Sequence, residues 1–162
     1  MGYYDVAQVC LNGHIITRNA ESAPEFRRRF CPKCGEPTIT KCPHCQSPIP
    51  GEYHVEGVVV VTRHTPPPPK FCHACGAPYP WTERKIKAAK ALADEMENLS
   101  PSEKKTLKQS LDELYRDTPE AEVAAVRFKR IMAKVGKESY IAMKEIMIGI
   151  VSEAVRKSLF GA

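Results

Sequence analysis

The 162-residue sequence lacks long hydrophobic runs, a targeting segment and the commonest catalytic motifs. No run reaches the roughly 18 apolar residues of a membrane-spanning helix, which excludes a transmembrane segment. The N-terminal residues MGYYDVAQ do not form the charged and then apolar pattern of a signal peptide. HExxH, P-loop and nucleophile-elbow motifs are absent as well. We therefore expect a cytoplasmic protein that is not an enzyme.

Cysteine is absent from the last 87 residues, whereas all seven cysteines and 12 of the 14 prolines lie within residues 1–81. A loop-rich segment of this size buries little core and usually needs disulfides or metal ions to fold. The odd cysteine count and the C-x-x-C spacing favour metal over disulfides. The sequence therefore predicts a metal-binding domain over residues 1–81 and a separate domain over residues 82–162.

Three C-x-x-C segments repeat one another: CPKCGEPTIT, CPHCQSPIPG and CHACGAPYPW. Each is typical of a zinc knuckle, in which a tight turn places two sulfur ligands on one ion. The seventh cysteine lies in CLNGH, where Asn12-Gly13 predicts a two-residue hairpin turn that brings a cysteine and a histidine together. Four such pairs suit two structural Zn²⁺ ions per chain better than iron–sulfur clusters or redox pairs. The predicted ligands are Cys10, His14, Cys31, Cys34, Cys42, Cys45, Cys72 and Cys75.

Spacing alone leaves the connectivity of the four pairs open. In a sequential arrangement the first two pairs bind one ion and the last two bind the other. In a cross-brace, as in RING and FYVE domains, the first pair joins the third and the second joins the fourth. We favour the sequential form, because PTIT and GVVVVTR can each serve as a ribbon strand beside a knuckle. Val58–Val61 are accordingly predicted to form a buried or half-buried strand.

From Thr82 onward the pattern is helical, and we predict four helices at about residues 83–98, 101–116, 119–135 and 137–160. Thr82 is the expected cap of the first helix, and Ser100-Pro101-Ser102-Glu103 has the form of a capping box for the second. The predicted fold is therefore α+β. It consists of two tandem zinc ribbons, built from small β-hairpins and zinc knuckles, followed by an all-α domain of about four helices.

The predicted Lys137–Phe160 helix carries apolar residues over an arc of about 220°, although packing against one neighbour needs little more than about 100°. The excess favours contact with another chain, either a protein partner or a second copy in a homo-oligomer. Two alternatives stay open at this point. One is a central helix buried within its own bundle, and the other is a helix lying on a membrane surface, against which its narrow and weakly basic polar face argues.

A basic run precedes the second ligand pair and consists of Arg27, Arg28 and Arg29, with Lys33 inside the knuckle. Zinc ribbons contact nucleic acid through such basic residues and stacking aromatics, so these four residues are candidate nucleic-acid contacts. Against this interpretation, two Zn²⁺ ions and seven thiolates would lower the formal charge from +5 to about +2. A chain so close to neutral gives weak support for a polyanionic partner.

His54 and His64 flank the predicted valine strand and are the best candidates for a metal-dependent hydrolase similar to the ββα-metal nucleases. No asparagine lies between them to complete such a site. Polar residues on the surface of a strand are the simpler interpretation. We therefore assign no catalytic residue.

MGYYDVAQVCLNGH, FCPKCGEPTITKCPHCQSPI and FCHACGAPYPWT together resemble an uncharacterised bacterial family of short zinc-ribbon proteins whose members continue into a helical tail. The resemblance spans nearly the whole chain. It implies a double zinc-ribbon fold with the eight ligands named above, and it implies no activity. The sequence thus predicts a non-enzymatic zinc-binding adaptor or regulatory protein. Nucleic-acid binding through the arginine run is the alternative, and a cryptic metal-dependent hydrolase is a weaker one.

Overall fold

A computed structural model describes residues 1–61 and 64–161 of the chain. The chain divides into two compact units, residues 1–83 and residues 84–162. Short antiparallel strands and cysteine knuckles lie in the first unit, and helices make up the second. The predicted α+β class is therefore confirmed. In the described part of the chain, every helix is too short or too polar to cross a lipid bilayer.

The described residues of the first unit form two small antiparallel sheets. One pairs β1 (Tyr3–Val6) with β5 (Pro50–His54). In the other, β2 (Gln8–Cys10) lies between β3 (Ile15–Thr17) and β4 (Thr38–Ile39). Strands β1 to β3 precede the first C-x-x-C segment, β4 lies between the first and second, and β5 follows the second, so the two sheets join parts of the chain that the knuckles separate.

The three C-x-x-C segments are structural repeats of one another, as the sequence predicts. In each, the first cysteine donates its backbone N–H across the turn to a carbonyl 2.8 Å away. Each segment is also closed by a β-bridge between the residue before the first cysteine and the proline that follows the second. The bridged pairs are Phe30 with Pro37, Lys41 with Pro48, and Phe71 with Pro78.

One close approach in the first unit requires glycine. Gly51 is buried in β5, and a Cβ atom at this position would lie 2.1 Å from the carbonyl oxygen of Arg18 and 2.8 Å from the carbonyl carbon of Val6. Both neighbours are backbone atoms that cannot swing aside. Only a residue without a side chain lets β5 pass between them.

The valine strand predicted at Val58–Val61 is wrong. These residues have no strand pairing, and their side chains are 54% to 88% exposed. The strand that accompanies the second knuckle is β5 instead, which pairs with β1. Gly57, with φ at +76°, then turns the chain away, and β-branched residues gain little from an extended conformation without a partner to pack against. Thr62 and Arg63, at the end of the predicted strand, lie outside the described residues.

The core of the first unit is small. Trp81 is 2% exposed and stacks on Tyr79 with ring centroids 4.6 Å apart. The indole N–H donates to the Pro69 carbonyl oxygen at 2.9 Å, which anchors the end of the proline run. The buried cluster consists of Ala7, Val9, Cys42, Ile49, Cys72, Tyr79 and Trp81. Two of these seven residues are predicted metal ligands, so the core and the ligand set overlap.

Five helices lie between residues 80 and 161, where the sequence predicted four. They are α1 (Pro80–Asp94), α2 (Pro101–Leu114), α3 (Glu120–Met132), α4 (Lys137–Ile148) and α5 (Glu153–Phe160). The capping box of α2 forms as predicted between Ser100 and Glu103. Thr82 does not cap α1. That helix begins at Pro80, with the Tyr79 carbonyl accepting the Thr82 N–H at 3.0 Å, while the Thr82 hydroxyl donates to Lys70.

The single helix predicted over residues 137–160 is wrong, because it is broken between α4 and α5. Gly149 ends α4, and the Ser152 side chain accepts the Val155 N–H at 3.3 Å to begin α5. Serine at a helix start supplies an acceptor that the first turn otherwise lacks. A serine three residues after a glycine was therefore a boundary signal that the apolar periodicity concealed.

Most of the apolar residues in this region are buried within the helical unit. Met143, Met147 and Ile150 are fully buried, and Val155 and Leu159 complete the same core. Ile141 and Ile148 remain exposed, at 44% and 43%. Most of the wide apolar arc therefore packs in the core of its own unit. This agrees with the alternative in which the region is buried within its bundle.

Candidate metal centres

The first centre lies where β2 ends. Gly13, with φ at +90°, lets the chain turn back, and the His14 backbone N–H donates to the Cys10 sulfur at 3.2 Å. The His14 Nδ1 atom lies 3.4 Å from Cys10 Sγ and 3.5 Å from Cys31 Sγ. Cys10 Sγ lies 3.7 Å from Cys34 Sγ. The four potential ligand atoms of Cys10, His14, Cys31 and Cys34 all lie within 4.8 Å of one another.

The second centre is formed by two of the knuckles. Cys42 Sγ lies 3.8 Å from Cys75 Sγ, and Cys45 Sγ lies 3.7 Å from Cys72 Sγ. All four sulfur atoms again lie within 4.8 Å of one another. In each knuckle the first cysteine is buried and the second is exposed. The structure thus groups the pairs sequentially, and the cross-brace alternative is wrong.

The separations match a four-coordinate metal ion. Around a tetrahedral ion with Zn–S bonds of about 2.3 Å and Zn–N bonds of about 2.0 Å, two sulfurs lie about 3.8 Å apart and a sulfur and a nitrogen about 3.5 Å apart. The observed sulfur–sulfur distances are 3.7–3.8 Å, and the sulfur–nitrogen distances are 3.4–3.5 Å. They are far longer than the roughly 2.05 Å of a disulfide. Both centres can therefore hold a metal ion with four protein ligands each.

The comparison with protein families agrees with this architecture. Residues 3–159 match the model of a family described as an uncharacterized protein conserved in bacteria, DUF2321. The chain belongs to this family. The match covers nearly the whole chain, so the two centres and the helices fall within one family unit, as the resemblance implied. Neither the curated proteins nor the solved structures contain a match to the chain.

Hydrogen bonds inside the knuckles favour ionised sulfur. The Glu36 backbone N–H and the Asn12 side chain lower the pKa of the Cys34 thiol to about 6, against an opposing effect of burial. In the second centre, the backbone N–H groups of Cys75 and Ala74 lower the pKa of Cys72 to about 6. The thiolate is the form that binds metal. Hydrogen bonding thus favours the thiolate at Cys34 and Cys72, whereas burial raises the pKa of Cys10 and, together with the neighbouring cysteines, raises the pKa of Cys75 to about 12.

The candidate nucleic-acid residues lie on the surface beside the first centre. The Arg27 guanidinium donates to the Ala20 carbonyl at 2.6 Å, and the Arg28 guanidinium donates to the Glu25 carbonyl at 2.9 Å. Arg29 lies over the exposed Phe30 ring, 5.7 Å from its centroid. Lys33 is exposed, and its backbone N–H donates to Cys31 Sγ. Two of the three guanidinium groups therefore hold the loop that leads into the knuckle.

His54 has an asparagine partner after all, from a distant part of the chain. Its Nε2 atom lies 2.8 Å from Asn19 Oδ1 and 3.7 Å from Asp5 Oδ2. Asn19 is 35 residues from His54 in the sequence, and its neighbour Arg18 accepts the Glu52 backbone N–H of β5, so no local spacing pointed to the contact. Within the described residues, His54 does not belong to a group of potential metal ligands. Asp5 instead accepts backbone N–H groups from Val6, Glu21 and Ser22.

Tyr79 is a residue of the second centre that sequence reasoning missed. Its side chain is fully buried in the cluster that contains Cys42 and Cys72. Burial raises its pKa most, and hydrogen bonding toward Cys72 raises the pKa further. The only local signal was its position directly after the knuckle proline.

Proposed function

We propose that this protein is a non-enzymatic zinc-binding adaptor. In this proposal two structural Zn²⁺ ions fold the first unit, and the helical unit binds a protein partner or a second copy of the chain. The observation that carries the proposal is the closed ligand set of both centres, each with four protein ligands within 4.8 Å of one another. A set of four protein ligands leaves no position for an activated water, which is the arrangement of structural rather than catalytic zinc.

Zinc is the ion that the donor sets favour. Cysteine-rich tetrahedral sets with at most one imidazole are typical of structural zinc, and the measured separations agree with zinc bond lengths. When bound, the ion would cross-link chain segments far apart in sequence. Cys10 and His14 would be joined to the Cys31 knuckle, and the Cys42 knuckle to the Cys72 knuckle.

The helical unit offers exposed apolar side chains to a partner. Val123 and Val126 are three residues apart on α3, and they are 59% and 57% exposed. Residues with this spacing lie on the same side of a helix. This pair replaces the Lys137–Phe160 helix as the favoured contact, because most of that region's apolar residues are buried in the helical core.

Native mass spectrometry of the chain purified from its own cell tests the proposal. We expect two Zn²⁺ per chain together with a second protein mass, either another copy or a partner. Val123→Glu combined with Val126→Glu should remove the second mass and leave the zinc count unchanged. Val59→Glu combined with Val61→Glu is the matched control, since it places the same charges on exposed valines of the first unit.

Two results would contradict the proposal. A wild-type chain that carries two Zn²⁺ but remains a monomer without a partner would remove the adaptor role. If single Cys10→Ala and His14→Ala variants still bind two Zn²⁺ per chain, the ligand assignment of the first centre is wrong.

A second candidate function is nucleic-acid binding at the first centre. The exposed Arg29–Phe30 pair favours it, because an arginine beside an aromatic ring can contact both phosphate and base. Retention on single-stranded RNA or DNA that falls steeply with salt, and is lost when Arg27, Arg28 and Arg29 are changed to serine, would support this function over the adaptor.

A further inference from the structure

The second metal centre contains a buried polar group that nothing else in the fold explains. The Tyr79 side chain is 0% exposed, and its hydroxyl has no hydrogen-bond partner among the described residues. A buried hydroxyl without a partner is costly, and proteins rarely retain one without a role. Phenylalanine would fill the same space without that cost.

The repeat relationship of the knuckles isolates the hydroxyl as the unusual feature. Thr38, Ile49 and Tyr79 each directly follow the bridged proline of their knuckle. Ile49 fills this position with a purely apolar side chain and is itself fully buried. The Thr38 hydroxyl is used elsewhere, since it donates to the Arg28 carbonyl at 2.7 Å. The packing of the repeat therefore does not require a hydroxyl at this position.

The Cys72 sulfur is an acceptor within the buried cluster that encloses the hydroxyl. Tyr79 and Cys72 lie in one buried cluster, and burial together with the neighbouring Cys72 raises the pKa of the Tyr79 phenol. A thiol is a weak acceptor, whereas a thiolate is a strong one, so the interaction gains strength when the sulfur is ionised. Metal ligation ionises the sulfur outright.

We propose that the Tyr79 hydroxyl donates a hydrogen bond to the Cys72 thiolate when a metal ion occupies the second centre, which makes Tyr79 a positioning residue of that centre. This inference rests on the proposed function, because it requires the metal. The bond fixes the orientation of the Cys72 ligand, and it withdraws electron density from the sulfur. Groups that support metal ligands in this way typically contribute about 10–100-fold to metal affinity.

The test is the metal affinity of Tyr79→Phe, measured on the full chain. Both proteins are loaded with Zn²⁺ and titrated with a chromophoric chelator that withdraws the two ions in separate steps. We expect the second centre of the variant to bind Zn²⁺ about 10–100-fold more weakly, with the first centre unchanged. The first centre is thus an internal control for folding. Tyr53→Phe is the matched control variant, because it removes a hydroxyl from a 46% exposed tyrosine of the same unit.

A spectroscopic readout separates the hydrogen bond from packing. In the Co²⁺-loaded protein, loss of the bond should shift the sulfur-to-cobalt charge-transfer band of the all-thiolate centre, whereas Tyr53→Phe should leave it in place. In wild type loaded with a spin-active isotope of Cd²⁺, the Tyr79 hydroxyl proton should show scalar coupling to the metal nucleus through the Cys72 sulfur, and a resolved hydroxyl proton without that coupling would contradict the bond. That measurement needs no variant, so it decides the proposal even if Tyr79→Phe does not fold.

Unchanged affinity and an unchanged cobalt spectrum in Tyr79→Phe would overturn the proposal, as would equal weakening of both centres. A wild-type chain that binds no Zn²⁺ would overturn the proposed function and this inference together. The wild-type measurement therefore distinguishes the two failures.

Discussion

Removal of metal should unfold the first unit and leave the second folded. Among the described residues of the first unit, the buried cluster has seven members, of which Cys42 and Cys72 are candidate ligands. In the described part of the helical unit the cluster has 19 buried residues, and none of them is a cysteine. The two units therefore differ in what stabilises them, and a metal chelator acts on only one of the two cores.

The magnitude supports complete unfolding of the first unit. A structural zinc site contributes an apparent free energy of about 10–16 kcal/mol on the zinc-finger scale. The total stability of a typical domain is only about 5–15 kcal/mol. Loss of even one of two such sites is therefore comparable to the whole stability of the unit, and the remaining large core side chains, among them Val9 and Ile49, are too few to compensate.

Two optical signals follow the units separately. Trp81 is the single tryptophan and lies in the core of the first unit, so its fluorescence reports on that unit alone. The far-UV circular dichroism signal comes mainly from the helices α2 to α5. On addition of a chelator in excess, we expect the Trp81 emission to shift to longer wavelength while most of the helical signal remains. Addition of Zn²⁺ should restore the emission.

The reasoning would be refuted by a Trp81 emission that stays unchanged after metal analysis shows complete removal of the ions. It would also be refuted by loss of both signals at the same chelator concentration. The first result would mean that the apolar cluster is sufficient without metal. The second would mean that the helical unit does not fold by its own core.

Two further substitutions probe one unit each. Asp5→Asn should lower the free energy of unfolding of the first unit by about 1–3 kcal/mol, measured by urea unfolding, because the buried carboxylate accepts three backbone N–H groups. Glu56→Gln, at an exposed position, is the control. Burial raises the pKa of Asp5, but the hydrogen bonds outweigh it and hold the pKa below 3.8 in the folded state. The contribution of Asp5 to the free energy of unfolding is therefore present above pH 3.8 and should disappear as the pH falls through the lower pKa of the folded state. In the helical unit, Ser100→Ala removes the capping box with Glu103 and should cost about 0.5–2 kcal/mol, whereas the exposed Ser158→Ala should not change the midpoint.

The ligand pairs of the candidate metal centres were predictable because the two members of each pair are close in the sequence. A C-x-x-C segment or a hairpin turn places two donors on one ion by its own backbone geometry, so spacing alone identified Cys31/Cys34 and even the Cys10/His14 pair. The match between pairs is a tertiary property, and the sequence left it open. The partner of His54 escaped prediction for the same reason, because Asn19 is 35 residues away in the sequence and is close to His54 only in the folded chain.

The valine run and the last helix were misjudged because apolar periodicity does not say what covers a residue. Val58–Val61 have strong strand propensity, yet β1 is already paired with β5, which lies closer to the knuckle. The arc of apolar residues after Lys137 is continuous in projection, but a backbone break at Gly149 divides it between two helices. In both cases the structure changes direction at a glycine, Gly57 or Gly149, and the prediction relied on the hydrophobic pattern instead.

The sequential order of the ligands has a consequence for synthesis on the ribosome. The first centre has all its ligands once residue 34 has emerged, and the second is complete only at residue 75, 41 residues later. At a translation rate of about 5–20 residues per second, the interval between them is about 2–8 s. The strand β1 can pair only after β5, which ends at His54, has also emerged. A nascent chain can therefore bind its first ion before the β1–β5 sheet forms, and both ions before the helical unit is complete.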